Sequence, residues 1–564
     1  GGPAAHRDRR RGAGPARERR RRDRPVSAAA GAHAPSLSPQ AANPPIAARR
    51  LDRFEIGVLV ALFALALAPL IGLLVRVWTQ GGLVTGGDGF LVADPLQYLT
   101  WLREAGEHVA IANLYDLEDG PRSFVHPGVL LSGLAHQLGL GVVASYVIWK
   151  PVAVLALFAG AVGLGRRFLA RTDDRRLALV LGLFFASPIA ALVGWAGIGG
   201  NDVKFDFDFV SGELWGGTYL WGYLFTAVAV GVMPVGLLAY ERGRDGGGGR
   251  PLALAAGCGL VAAWFQPWQG TTLILVLAAA EALSLRRGRS LAGAMRDLAV
   301  PVAVTAAPLG YYLVLSRTDA SWELAGAVND FPRWPWWVTV LGLLPLALPA
   351  VFAYRLPAPD FGSLALRAWP LAGLAVFYQP AGTFPFHAFQ GLSLPLAVLA
   401  VLAVRAWLDE RRVPLWGAVS AVLVLCLVGT AYRANELREA VNLGRQPFFL
   451  TASERDALRH LEERAEPGGV LTPVYSGVVV PAYTGRETWI GAGSWTPDFE
   501  ERRRSTESLF AGELDPREAR ALVRRSGAAF LYSDCHGRAD IEPLVRAFTD
   551  PPQRFGCAAV YRVR

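Results

Sequence analysis

Lysine is almost missing from this chain. Of its 56 basic residues only Lys150 and Lys204 are lysines, and the rest are arginines. Such a bias marks a GC-rich coding sequence and argues for no function. Cysteine is scarce as well, with four in 564 residues. Cys258 and Cys426 fall inside apolar runs and read as small core residues. Cys535 and Cys557 lie in a polar region, and if that region lies outside the cytoplasm they can either pair as a disulfide or stay apart, a choice that rests on Cα atoms within about 7 Å. No Ser-His-Asp or Cys-His signature stands out. Charged residues make up 18% of the chain, and almost none falls within its long apolar segments. That weighs against an ion-coupled transporter, which needs ionisable groups inside its spans. No inverted internal repeat is visible either.

What is present is hydrophobic length. The chain is 52% hydrophobic with a mean hydropathy of +0.30, which describes a polytopic membrane protein. The formal charge of +9 is no nucleic-acid signal. Much of it sits in residues 1–50, an Arg-, Ala- and Pro-rich stretch that reads as a disordered cytoplasmic tail. The apolar segment Phe54 to Trp78 that follows is long enough to span, so this start is not read as a cleavable signal peptide.

Apolar segments of spanning length fall at about 54–78, 143–166, 177–197, 219–240, 251–265, 270–286, 297–315, 336–354, 367–380, 391–408 and 414–432. With the N-terminus inside, the inner loops hold Arg166, Arg167, Arg171, Arg175 and Arg176, then Arg242, Arg244 and Arg250. Further along they hold Arg286, Arg287, Arg289 and Arg296, then Arg355 and Arg367, then Arg411 and Arg412. The outer loops hold only Arg103, Arg122, Lys204, Arg317 and Arg333. This positive-inside alternation makes His126 to Leu140 an interfacial or re-entrant helix and not a span. Lys150 is then expected near the outer interface, with its stem snorkelling.

The expected fold is thus an α-helical polytopic membrane protein of about 11 spans. It carries a transmembrane domain over 51–433, with outer loops near 79–142, 198–218, 316–335 and 381–390, and a small extracytoplasmic α/β domain over 434–564. In that last region Thr451-Ala-Ser-Glu454 reads as a helix start, with Ser453 a second cap candidate, and Asp515 to Arg525 as a helix. Val470 to Val474, Gly477 to Val480, Thr488 to Ile490, Ala528 to Tyr532 and Ala558 to Val563 read as strands, with Ile541 to Phe548 a helix between the last two. No G-x-G-x-x-G, Walker loop or zinc spacing occurs there.

Chemistry is sought where polar residues recur, on the outer side. Thr85 to Pro127 carries Asp88 and Asp94 ahead of an amphipathic helix over Leu96 to Val109. A carboxylate at that boundary can take a proton from an acceptor hydroxyl. Asp94 precedes Pro95, and can equally serve as the helix N-cap. Asp206-Phe-Asp208, read as extended, places two acids on one side, where they can share Mg²⁺ or Mn²⁺ or form a solvated acidic loop. His126, His387 and Gln390 are outer-face candidates for donor or acceptor binding, and Arg122 and Lys204 for pairing a lipid phosphate.

GGDGFLVADPLQYLTWLREA in the first outer loop, the N-in first span, roughly ten further spans and an outer α/β tail together resemble the GT-C class of integral membrane glycosyltransferases. Tyr475 to Pro497, with YTGRETWIGAGSWTP, looks like the tail domain of bacterial GT-C-like membrane proteins. No W-W-D-x-G-like signature of oligosaccharyltransferases is present. The class implies an inner-membrane enzyme that uses a polyprenyl-phosphate-linked sugar and an acceptor glycan, lipid or protein. It implies a base or metal-binding acid at Asp94 or Asp88, and Asp206 and Asp208 match the place of a further acidic motif in the second outer loop. The competing readings are a non-catalytic envelope-assembly protein of the same fold and a transporter of lipid-linked saccharides.

Overall fold

The computed structural model describes residues 50–564 except 119, 381–382, 411–414, 442–445, 465 and 538. The Arg-rich tail and the inner-loop Arg411 and Arg412 lie outside the described residues. Among those described, nine helices are long and apolar enough to cross a membrane. They are Arg53–Trp78, Val142–Phe168, Leu224–Gly247, Pro267–Leu285, Leu291–Thr318, Trp336–Arg355, Phe361–Tyr378, Pro385–Leu408 and Gly417–Ala440. Thr172–Phe184 and Pro188–Ala196 form a tenth, bent by 41°, where Pro188 lacks the N–H that would continue the first helix. Gly249–Phe265 is apolar and has 17 residues, about 26 Å of helix. Among the described residues each interval marked from hydropathy is therefore largely helical, with nine or ten candidate spans where about 11 are expected, and the chain is an integral membrane protein.

Leu224–Arg242 runs through the centre of the bundle and is buried along almost its whole length. It crosses Trp149–Phe168 closely. A Cβ at Gly160 would stand 2.5 Å from the Gly231 carbonyl oxygen, and one at Gly231 2.3 Å from the Ala156 carbonyl carbon. Small residues at this crossing are what lets the backbones meet, the usual device where no water drives helix association.

Ion pairs sort by helix end. Arg166 pairs with Glu55, Arg176 with Asp52, Arg167 with Glu241 and Asp360, Arg244 with Glu281, and Arg289 with Asp297. All of these residues belong to the Arg-rich loops or the helix ends beside them. Lys150 pairs with Asp88, Arg122 with Glu104, Lys204 with Asp208 and Glu436, and Arg103 with Glu462, all from the opposite set. Each set of loops therefore pairs within itself.

The last helix runs on to Ala440, past the change in composition near 434. The short strands β1 (Leu83–Val84) and β2 (Phe449–Leu450) then pair antiparallel and tie the chain after the spans to the first interhelical loop. A mixed four-stranded sheet follows, built from β3 (Val470–Leu471), β4 (Phe530–Ser533), β5 (Gln553–Phe555) and β6 (Ala558–Arg562) in the order β3-β4-β6-β5. β3 and β4 are parallel, and the other neighbours antiparallel. Thr451 and Asp515 close capping boxes with Glu454 and Glu518. Of Val470 to Val474 only Val470–Leu471 is strand, and Gly477 to Val480, expected as a strand, falls between the helical turns Val474–Gly477 and Val480–Thr484. Pro481 presets the first-turn φ of the second turn and has no N–H to offer a ladder. Thr488 contributes a single bridge to Val470. Cys535 and Cys557 form a disulfide with Cα atoms 5.0 Å apart. One face of the sheet joins the hydrophobic cluster of the helices, the other packs a second cluster of buried C-terminal residues, and the described residues from Arg50 onward form one compact unit.

Candidate functional site

The first loop is fixed before it presents anything. Thr85 donates its N–H to the Phe448 carbonyl at 3.1 Å, continuing the β1–β2 pairing. Gly89 then lies so close to the Trp221 carbonyl that a Cβ would stand 1.8 Å from that oxygen, so only glycine passes. Between them Asp88 turns inward. Its carboxylate sits 2.7 Å from the Lys150 ammonium, and both side chains are buried. Lys150 also donates to the carbonyls of Leu220 at 2.6 Å and Ala66 at 3.1 Å. Lys150 therefore does not snorkel to an interface. It is a buried peg, and Asp88 is its counter-ion with no open face for a substrate.

Asp94 is placed differently. Its helix, Ala93–His108, begins one residue before it, and no side chain caps that end. Asp94 is not the N-cap; its half-buried carboxylate instead accepts a 2.7 Å hydrogen bond from the Tyr223 hydroxyl. Tyr223 is the residue at which the central helix Leu224–Arg242 starts, so the most enclosed element of the bundle sets this carboxylate. Burial raises the Asp94 carboxyl above its ordinary range, while the Tyr223 bond and the nearby His387 ring pull it partly back.

Beyond Tyr223 lies a row of polar side chains from three other elements. Gly200–Leu214 ends with Glu213, whose carboxylate is 3.2 Å from His387 Nδ1. His387 rides on the short 3₁₀ turn Pro385–Phe389. The Gln390 amide approaches the same ring nitrogen at 2.8 Å. One nitrogen cannot serve both partners at once. Carrying a proton it donates to Glu213, and without one its lone pair accepts the Gln390 N–H. Gln266 holds Gln390 at 2.7 Å, and Gln269 donates to the His387 and Gln390 carbonyls at 3.2 and 3.0 Å. Asp94, Tyr223, Glu213, His387 and Gln390 thus form a preorganised polar group at one end of the spans.

The remaining sequence candidates are distributed around it. Asp206 and Asp208 stand on the helix Gly200–Leu214, not on an extended segment. Phe207, Val210 and Leu214 bury at helical spacing there, which outweighs the alternating Asp and Phe. Positions two apart on a helix point about 200° from each other, so the pair does not fit a shared cation. Asp208 is already held by Lys204 at 2.8 Å and the Tyr432 hydroxyl at 2.7 Å. Burial and the neighbouring Asp202 raise the Asp206 carboxyl. Lys204 loses some basicity to burial, but its bonds to Asp208 and Glu436 (2.9 Å) hold it above the ordinary lysine range. Arg122 lies 2.8 Å from Glu104.

His126 caps the helix Pro127–Gln137, its Nδ1 accepting the Val129 N–H at 3.2 Å. It is packed between Phe225 and Phe265, and burial pushes its imidazole down to about 3. A neutral, enclosed cap does not suit phosphate binding. Among the described residues one acid and histidine group brings its ligand atoms within 4.8 Å, Glu104 with Glu107 and His108. Glu104 is engaged there by Arg122.

Three members of this neighbourhood were not singled out from sequence. Tyr223 and Glu213 look like interface residues until the fold closes. Arg433, near the end of the last span, is buried. Its guanidinium lies 4.1 Å over the Phe90 ring, its closest approach to a carboxylate is 3.9 Å from Asp208, and its Nε has no partner. A buried guanidinium left short of partners beside an acid-bearing group calls for an explanation, and only tertiary structure reveals it.

No protein-family model matches the chain, and no curated protein does. Several solved structures are similar in overall shape. The archaeal oligosaccharyltransferase AglB from Archaeoglobus fulgidus, in complex with an inhibitory peptide and a dolichol-phosphate, aligns over 88% of this chain and 72% of its own, with 12% identity and a TM-score of 0.48. The Archaeoglobus fulgidus oligosaccharyltransferase tethered to an acceptor peptide aligns over the same shares at 13% identity and a TM-score of 0.49. The same organism's oligosaccharyltransferase with Zn and sulfate aligns over 88% of this chain and 71% of its own, at 14% identity and a TM-score of 0.47.

Proposed function

We propose that this chain is a GT-C-type membrane glycosyltransferase that moves a sugar from a polyprenyl-phosphate carrier to an envelope glycan, lipid or protein. The observation that carries the reading is Asp94. It is a carboxylate released from capping and from ion pairing, oriented by Tyr223, and set at the span ends beside Glu213, His387 and Gln390. The positive-inside count supports an outer position for that end, with the N-terminus cytoplasmic and the C-terminal region extracytoplasmic. Asp94 takes the proton of the acceptor hydroxyl as its oxygen attacks the anomeric carbon. The bond from that carbon to the carrier phosphate breaks, and the polyprenyl phosphate leaves with the bonding electrons. Arg433 supplies positive charge for the departing phosphate. Gln390 and His387 hydrogen-bond sugar or acceptor hydroxyls.

The test is a mass-spectrometric profile of envelope glycans and glycolipids. It compares a deletion strain carrying the native chain with one carrying Asp94→Asn at matched abundance. Loss of a single sugar from one glycan in both the deletion and the variant supports the transfer. Full restoration of the profile by Asp94→Asn rejects Asp94 as the base.

A further inference from the structure

At the other end of the bundle the structure holds a cavity of about 250 Å³ between the start of Arg53–Trp78, the end of Trp149–Phe168 and the start of Thr172–Phe184. Arg50, Arg166, Arg175 and Arg176 line it, with Asp52 and Glu55 as the only acids. Each acid is taken by one arginine, Glu55 by Arg166 at 2.7 Å and Asp52 by Arg176 at 3.0 Å. Asp52 is further committed as the N-cap of the first span, where it closes a capping box with Glu55. Among the described residues Arg50 and Arg175 have no carboxylate partner; Arg175 reaches only the Thr172 hydroxyl, at 2.8 Å. The Arg176 Nε is buried without a partner. Asp173 also approaches Arg176, at 3.6 Å, so the lining carries two guanidinium groups without a carboxylate partner and one orphaned N–H, and it includes the apolar Ala161, Val162 and Leu179.

Guanidinium groups converging on a polar cavity match a phosphate, whose oxygens accept their paired N–H donors. Apolar lining at the end of two spans matches a molecule whose phosphate leads into acyl chains. We infer that this cavity binds the phosphate of an anionic phospholipid from the leaflet on the Arg-rich side of the protein. The site is separate from the Asp94 group, and it anchors the first three membrane segments to one another through a shared lipid. Basic pockets of this kind between spans hold anionic headgroups against a background of weaker surface attraction.

The test uses the full chain purified into detergent, with native mass spectrometry counting retained phosphatidylglycerol against phosphatidylcholine. The variants are Arg50→Gln with Arg175→Gln, which leaves both ion pairs in place, and Arg317→Gln as a control at the other end of the bundle. All of them keep the Arg-rich tail, so its diffuse attraction cancels. The native chain and the control should retain one phosphatidylglycerol, and retention should weaken about fivefold for each cavity arginine removed. In a parallel arm inorganic phosphate is titrated while the melting temperature is followed. Stabilisation of the native chain but not the double variant, with no lipid retained, assigns the pocket to free phosphate and upholds its chemistry. Equal retention of both lipids, or phosphatidylglycerol retention unchanged in the double variant together with no phosphate effect, overturns the inference.

Discussion

The Lys150 ammonium lies 2.7 Å from the Asp88 carboxylate, and about 2–3% of either side chain is exposed. Only two lysines occur in the chain, and this one is spent inside the bundle. It joins the second membrane segment to the first interhelical loop and to the carbonyls of Ala66 and Leu220. Removing one partner leaves a buried charge uncompensated. Asp88→Asn or Lys150→Met alone should destabilise by about 3–5 kcal/mol, whereas the two together should recover much of that loss. Thermal unfolding of the four chains in one detergent measures it. Equal melting temperatures for the single variants and the native chain would refute the structural role of this pair.

The Tyr223 hydroxyl is what distinguishes Asp94 from a surface acid. It lowers a carboxyl that burial has raised. A base must be ionised, so activity should be full above the Asp94 pKa and fall as pH drops through it. That acid limb should lie above the ordinary aspartate value of about 3.9. Tyr223→Phe deletes the lowering bond, so its limb should move to higher pH while the high-pH plateau is reduced less. A pH–rate profile checks this, and a limb that stays put or moves down contradicts it.

Arg433 separates binding from folding. Its closest carboxylate contact is 3.9 Å and its Nε is unsatisfied, so replacing it removes little that stabilises the fold beyond its stacking on Phe90, which a methionine side chain can also make. Arg433→Met should leave the melting temperature unchanged or raised. It should weaken use of the phosphate-bearing donor, raising the donor KM. A large fall in melting temperature would mark Arg433 as structural.

The disulfide closes a loop with a sequence separation of 22. Cys535→Ser with Cys557→Ser should destabilise the sheet region by about 3 kcal/mol through the freed unfolded chain. It should leave the bundle folded, because neither cysteine lies on a spanning helix and the bridge joins only the segment after β4 to the β5–β6 turn. Hydrogen exchange resolved by peptide reads this as faster exchange in 530–562 alone.

Membrane segments were legible because a hydrocarbon solvent permits few solutions: a long apolar run must be a helix. The one bent segment carries its own sign in Pro188. The capping boxes at Thr451 and Asp515 were equally local, and the structure forms both. What sequence could not resolve were choices settled by partners. Asp94 followed by Pro95 satisfies the pattern of a cap, yet Tyr223, 129 positions away, takes its carboxylate. Asp206 and Asp208 alternate with phenylalanine as a strand would, but burial of Phe207, Val210 and Leu214 selects a helix. Lys150 reads as an interfacial cation until the loop bearing Asp88 folds over it. Glu213 and Arg433 gave no local signal, because their meaning lies in what converges on them.

The central claim is that Asp94 enables sugar transfer from a polyprenyl-phosphate donor. Its most direct measurement is the cellular ratio of polyprenyl-phosphate-linked sugar to free polyprenyl phosphate, read by liquid chromatography and mass spectrometry. It compares strains carrying native or Asp94→Asn chains at equal abundance. Loss of a general base slows the step by about 10²–10⁴-fold, so the lipid-linked sugar should accumulate in the variant to the level of a deletion strain. A ratio that matches the native strain, with the variant folded and present in the membrane, would contradict the account.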